Sequence, residues 1–158
     1  MRTLLHTIVF AVVTAMMVPV NFAQAADLSN GTWELNLAKS KFNPGPPLKS
    51  QTRTYEVMDG TVKMTLKGVN AEGKEMQSTY AGSYDGKDFP ITGNPDADTI
   101  AVKRIDDSTF EATLKKAGKV VSNSTRTISK DGKVMTVKTK GTNAKGEKVN
   151  NTLVFDKQ

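Results

Sequence analysis

Asp59-Gly60-Thr61-Val62-Lys63-Met64-Thr65-Leu66-Lys67 is the stretch whose reading decides the fold. Val62, Met64 and Leu66 fall on one face of an extended chain, and Lys63, Thr65 and Lys67 on the other. Period two with one polar face marks a half-buried antiparallel strand, and the Asp-Gly before it supplies the positive φ angles of a tight hairpin. Phe110, Ala112 and Leu114 against Glu111, Thr113 and Lys115 repeat the pattern. Strands are expected at 32–37, 50–58, 61–69, 74–84 and 87–91, then at 99–105, 109–115, 119–128, 133–140 and 148–155. Asp85-Gly86 and Asp131-Gly132 mark further turns, and Ala71-Glu72-Gly73, Ala117-Gly118 and Ala144-Lys145-Gly146 mark slightly longer loops. No crossover helix fits between these runs, which argues against a parallel sheet. A ten-strand meander with one apolar face must curl closed or fold onto itself. The expected class is all-β, an antiparallel up-and-down β-barrel of about ten strands.

The chain also repeats. Thr52-Arg53-Thr54 recurs as Thr125-Arg126-Thr127, and the run 68–73 (Gly-Val-Asn-Ala-Glu-Gly) recurs as 141–146 (Gly-Thr-Asn-Ala-Lys-Gly) at the same offset. Each Thr-Arg-Thr is followed by Asp-Gly and then Met-Thr. Two equivalent three-strand meanders are expected, one in each half.

Upstream of the first strand, Arg2 begins a positive n-region, Leu4 to Val20 is apolar and interrupted by Pro19, and Ala23-Gln24-Ala25 offers small residues at −3 and −1. These are the three parts of a secretory signal, too short and wrongly flanked for a membrane anchor. The expected organisation is a signal peptide at 1–25 followed by a single domain at 26–158. The mature chain is expected in the periplasm or secreted, without an integral membrane anchor.

Composition then limits the chemistry. The chain has one histidine, His6, and no cysteine. Once residues 1–25 are removed, neither side chain is left. Ser-His and Cys-His catalysis, haem on an axial His and zinc on its usual ligands are closed to it. No catalytic residue, cofactor or metal is expected, and the chain is read as not an enzyme. The charge is +6 and the pI about 9.5. The basic residues, mostly lysine, are spread singly, as on a solvated β surface, so no nucleic-acid partner is expected. Asp85, Asp88, Asp96 and Asp98 cluster in sequence around Pro90 and Pro95, but their spacing matches no calcium loop and suits turns instead.

Large apolar residues are sparse for ten strands, so many inward positions fall to Thr, Ser, Asn or Ala. A barrel built this way leaves a wet, ligand-holding interior; a thin sandwich with outward threonines is the alternative.

Gly31-Thr32-Trp33-Glu34-Leu35 resembles the Gly-x-Trp start of lipocalins and the Gly-Thr-Trp-Lys-Leu start of fatty-acid-binding proteins. Gly31 to Tyr55, including Lys39-Ser40-Lys41-Phe42 and Pro44-Gly45-Pro46-Pro47, resembles a family of uncharacterised exported bacterial lipocalin-like proteins. Tyr84 to Asp88 and Thr92 to Thr99 do so as well. The resemblance implies a calycin-type ligand-binding barrel. Two departures stand out. Ala38 to Lys49 is too short and proline-rich for the two-helix lid of fatty-acid-binding proteins. The late basic residue that stacks on the lipocalin tryptophan has one counterpart beyond Lys148, namely Lys157.

Trp33, Tyr55, Tyr80, Tyr84, Phe110 and Phe155 are the candidate ligand-binding walls, with Arg104 and Arg126 as polar anchors that could grip a carboxylate. Alternation leaves an inward and an outward Arg126 both open. The expected function is an exported, monomeric, non-catalytic protein holding a small apolar or amphipathic molecule. The alternative is a surface module for anionic envelope polymers or a protein partner, using the lysines and the extended Asn43–Leu48 loop.

Overall fold

A computed structural model describes residues 27–143 and 145–158. The expected signal peptide, with His6, lies outside the described residues. Ten strands form: β1 (Gly31–Leu35), β2 (Ser50–Met58), β3 (Thr61–Val69), β4 (Glu75–Ser83), β5 (Asp85–Thr92), β6 (Thr99–Arg104), β7 (Thr109–Lys116), β8 (Lys119–Ile128), β9 (Val134–Thr142) and β10 (Lys148–Lys157). Each pairs antiparallel with the next, and β1 also pairs with β10, so the sheet closes into an up-and-down barrel. Closure removes both sheet edges and buries the apolar face that alternation predicted.

The turns explain the meander. Asp59 and Gly60 have φ 50° and 76°, and Ala117 and Gly118 have 48° and 75°, so both pairs supply the two positive φ angles of a two-residue hairpin. The loop at Ala117-Gly118 is thus as tight as the Asp-Gly one. Asp85-Gly86 does two things. Thr79 lies opposite Thr92 and Tyr80 opposite Ile91, so the reversal from β4 to β5 is centred on this pair, and Gly86, at φ 81°, also lies where the register with β6 shifts between Asp85 and Asp88. The positive φ serves the turn and a bulge together.

The sequence repeat is visible in three dimensions. Asn70 Oδ1 accepts from Lys74 N–H at 2.8 Å, and Asn143 Oδ1 accepts from Glu147 N–H at 2.9 Å. Gly68 pairs with Met76, and Gly141 with Val149, at the same sequence offset. At both glycines the neighbouring strand comes so close that a Cβ would overlap its backbone, Ser50–Gln51 in one copy and Val121–Ser122 in the other.

The two barrel ends differ. Residues 27–30 close one of them. There Trp33, fully buried, donates its indole N–H to Ser29 O at 2.8 Å, and Lys157 Nζ lies 5.1 Å above its ring. The late basic residue does stack on the tryptophan. Asp27 pairs with Arg104 beside it. Trp33, Phe110, Phe155 and Met135 have 1% exposure or less, each contributing about 1.5–3 kcal/mol of burial. At the other end the chain leaves β1 through a short 3₁₀ turn, Leu37–Lys39, whose Asn36 side chain caps Lys39 N–H. It then runs along β10, with Lys41 paired to Thr152, and the segment from Phe42 to Leu48 reaches over the mouth.

Candidate functional site

Inside the barrel lies a cavity of about 140 Å³. Two rows of paired residues frame it, and their positions follow from the strand register. Tyr55, Met64, Tyr80 and Ile91 form one row across β2 to β5, and Phe110, Arg126 and Val137 form the other across β7 to β9. Ser78, Ser124, Thr139 and Ala112 are the small or hydroxylated inward residues that leave the space open. Asn94, Leu114 and Thr139 also border a wider vestibule of about 400 Å³ at the open end. Its outer wall includes Phe42, Pro44, Pro46 and Leu48, so the proline-rich loop serves the barrel's own mouth.

Arg126 is the chemical centre of the site. It is inward and only 7% exposed, and its guanidinium carbon lies 4.1 Å from the Phe110 ring centre and 4.4 Å from that of Tyr55. Nη2 donates to Tyr84 Oη at 3.2 Å, while Nε, fully buried, has no hydrogen-bond partner among the described residues. Aromatic faces offset part of the cost of burying this cation, but no carboxylate neutralises it, because the cavity wall includes no Asp or Glu. Burial works against its charge, yet the phenol oxygens of Tyr55, Tyr84 and Tyr80 shift its pKa up. The guanidinium therefore stays charged.

Arg53 is the second interior cation. Its side chain stacks 4.7 Å over Phe155, and its Nε donates to Gln51 Oε1 at 3.1 Å. Burial raises the Tyr55 pKa, but the guanidiniums of Arg126 and Arg53 outweigh it, so this phenol is more acidic than usual. Tyr80 goes the other way: burial, aided by Tyr55, pushes its pKa up.

Of the residues singled out in the sequence, Tyr55, Tyr80, Phe110 and Arg126 meet at this cavity. Four do not line it. Trp33 seals the closed end, and Phe155 supports Arg53 from below. Tyr84 holds Arg126 by its hydroxyl. Arg104, the last residue of β6, is drawn outward to Asp27 and stacks on Tyr84 and Phe110 at 5.4 and 5.1 Å. The arginines that line the cavity are therefore Arg53 and Arg126, and Arg104 is not among them. The signal that finds Arg53 is the repeat, since Arg53 and Arg126 occupy the same place in the two Thr-Arg-Thr copies. Met64, Leu66, Ile100, Val102 and Leu114 complete the apolar wall and follow from strand alternation.

The acidic residues around Pro90 and Pro95 are not gathered. Asp85 caps Lys87 N–H at the start of β5, Asp88 pairs with Lys115 at 2.7 Å, and Asp98 accepts from Ala117 N–H. No group of three His, Cys, Asp or Glu side chains suited to a metal ion occurs among the described residues.

No protein-family description matches the chain, and neither does any curated protein. Solved structures do. The redesigned β-barrel mFAP1, bound to DFHBI, has 14% identity and a TM-score of 0.48, over 84% of this chain and 98% of that one. EF1p2_mFAP2b, also bound to DFHBI, has 11% identity and a TM-score of 0.51, over 85% and 97%. At such identity the likeness is one of fold alone.

Proposed function

We propose that the mature chain is an exported, non-catalytic binding protein that holds a small, partly apolar molecule in the barrel. The observation that carries this reading is Arg126, a buried guanidinium at the wall of a cavity whose lining includes no carboxylate. An unpaired interior cation is costly to retain, and a polar group on an apolar ligand offsets that cost. EF1p2_mFAP2b, which shares this fold at 11% identity, is bound to DFHBI, which is consistent with such an occupant. Export is supported by the signal-like residues 1–25 and agrees with a fold that needs no disulfide. The absence of His and Cys from the mature sequence supports a role without nucleophilic catalysis.

Native mass spectrometry of protein purified from its own envelope tests the reading. A discrete small-molecule adduct, reduced in an Arg126→Met variant, is the expected result. Bare polypeptide alone, together with cavity-residue NMR signals unmoved by a panel of small aromatic acids, overturns it.

A further inference from the structure

The cavity's size and charge specify its occupant more narrowly, on the premise that the barrel binds a small molecule at all. An apolar protein cavity of about 150 Å³ takes up benzene. This one, at about 140 Å³, has room within it for a single six-membered ring. Its apolar wall suits the faces and edges of such a ring. Its charge comes from Arg126 and Arg53 with no carboxylate between them. Arg126 already has its π faces engaged by aromatic rings and one Nη2–H bonded to Tyr84, so the donors left for a ligand are the remaining N–H groups along the guanidinium edge.

The geometry points to an inner chamber that takes a one-ring phenol or comparably acidic enol and holds it as its conjugate base. The neutral acid gives up its proton to solvent on binding; the oxyanion accepts from a remaining N–H of the Arg126 guanidinium, and the ring fills the space beside Ile91, Ile100 and Val102. Any substituent pointing to the open end continues past Leu114 into the vestibule. The barrel already contains an internal counterpart of such a ligand. Tyr55 is a buried phenol beside the same two guanidiniums, and its pKa is lowered although burial alone would raise it. The other ionisable groups facing the chamber are Tyr80 on β4 and, through Arg126, Tyr84; Arg104 lies beyond Phe110. Glu72, Asp96, Glu147 and Lys145 border only the vestibule.

The probe is 4-nitrophenol, whose neutral and anionic forms absorb at different wavelengths, with 4-nitroanisole as its non-ionising match. Bound 4-nitrophenol is expected to titrate about one pKa unit or more below the free compound, which is the same as the anion binding about tenfold more tightly than the neutral form. It should outcompete 4-nitroanisole above that pKa and lose the shift in Arg126→Met. Arg126→Lys, which keeps a cation, should restore part of it. If Arg126→Met does not fold by circular dichroism, Arg53→Met is the second variant, and the wild-type titration stands independently of either. An unshifted or raised pKa, with 4-nitroanisole bound equally well, overturns the inference and leaves the binding reading in place. Binding of neither compound overturns both.

Discussion

Adding one methyl group at Gly68 or at Gly141 tests whether the two halves of the barrel are built alike. Neither glycine needs a positive φ, so alanine is conformationally allowed at both and the cost is purely one of space. In each case the new Cβ would lie under 3.0 Å from backbone atoms of the paired strand: Ser50 O beside β3, and Val121 O beside β9. Backbone in a closed ladder cannot swing away as a flexible side chain can, so the strands must part locally. Overpacking of this kind costs about 1–3 kcal/mol, and the entropy removed from the unfolded chain by Gly→Ala returns about 0.4–1. The net loss should be about 1–2 kcal/mol, a sizeable share of the roughly 5–15 that a domain possesses. With a urea slope of about 2 kcal/mol/M, the unfolding midpoint falls by roughly 0.5–1 M without a change in slope. The two losses should add in the double variant, because the sites lie in separate hairpins. Gly45→Ala is the control, since nothing lies within 4 Å of its added Cβ; it should be neutral or slightly stabilising. Gly68→Ala and Gly141→Ala midpoints equal to wild type would refute the close-approach argument. A loss at only one of them would refute the equivalence of the halves.

Three further outcomes follow from the ionisable groups. Asp27→Asn should loosen the closed end: its partner Arg104 has a side chain 37% exposed, so screening limits the loss to about 1 kcal/mol, and added salt should shrink the difference between variant and wild type in urea melts. Asp131 and Asp156 have lowered pKa values, the first chiefly through the Ser129 hydroxyl and the second through the Asn36 amide. Their stabilisation is therefore complete above the unfolded carboxylate value of about 3.9 and is lost as pH falls through the lower folded values. Acid unfolding followed by circular dichroism should flatten over that window in Asp131→Asn and Asp156→Asn, and an unchanged profile would contradict the assignment. In an alkaline titration of phenolate absorbance, Tyr55 should ionise before Tyr80. Tyr55→Phe should remove the earlier step and Tyr80→Phe the later one; loss in the reverse order would count against the placement of Arg126 and Arg53.

The strand plan was legible because two-residue alternation and turn chemistry act locally. Every strand falls within two residues of its expected bounds, and the errors come where local signals are ambiguous. Asp85-Gly86 carries the residues of a hairpin and makes that turn, but the bulge that the same positive φ supports against β6 shows only in the pairing with β6. The cations show the same limit more sharply. Arg53, Arg104 and Arg126 all sit in alternating strands, and alternation alone leaves a lysine-rich chain free to place any of them outside. What fixes Arg104 is Asp27, far away in sequence; what fixes Arg126 is the convergence of Tyr55, Tyr84 and Phe110 from β2, the β4–β5 link and β7. Repetition carries the missing information. Thr52-Arg53-Thr54 and Thr125-Arg126-Thr127 are one structural position seen twice, so an inward Arg126 implies an inward Arg53. The repeat does more than duplicate a hairpin, then: it places a guanidinium from each half in one interior whose lining includes no carboxylate.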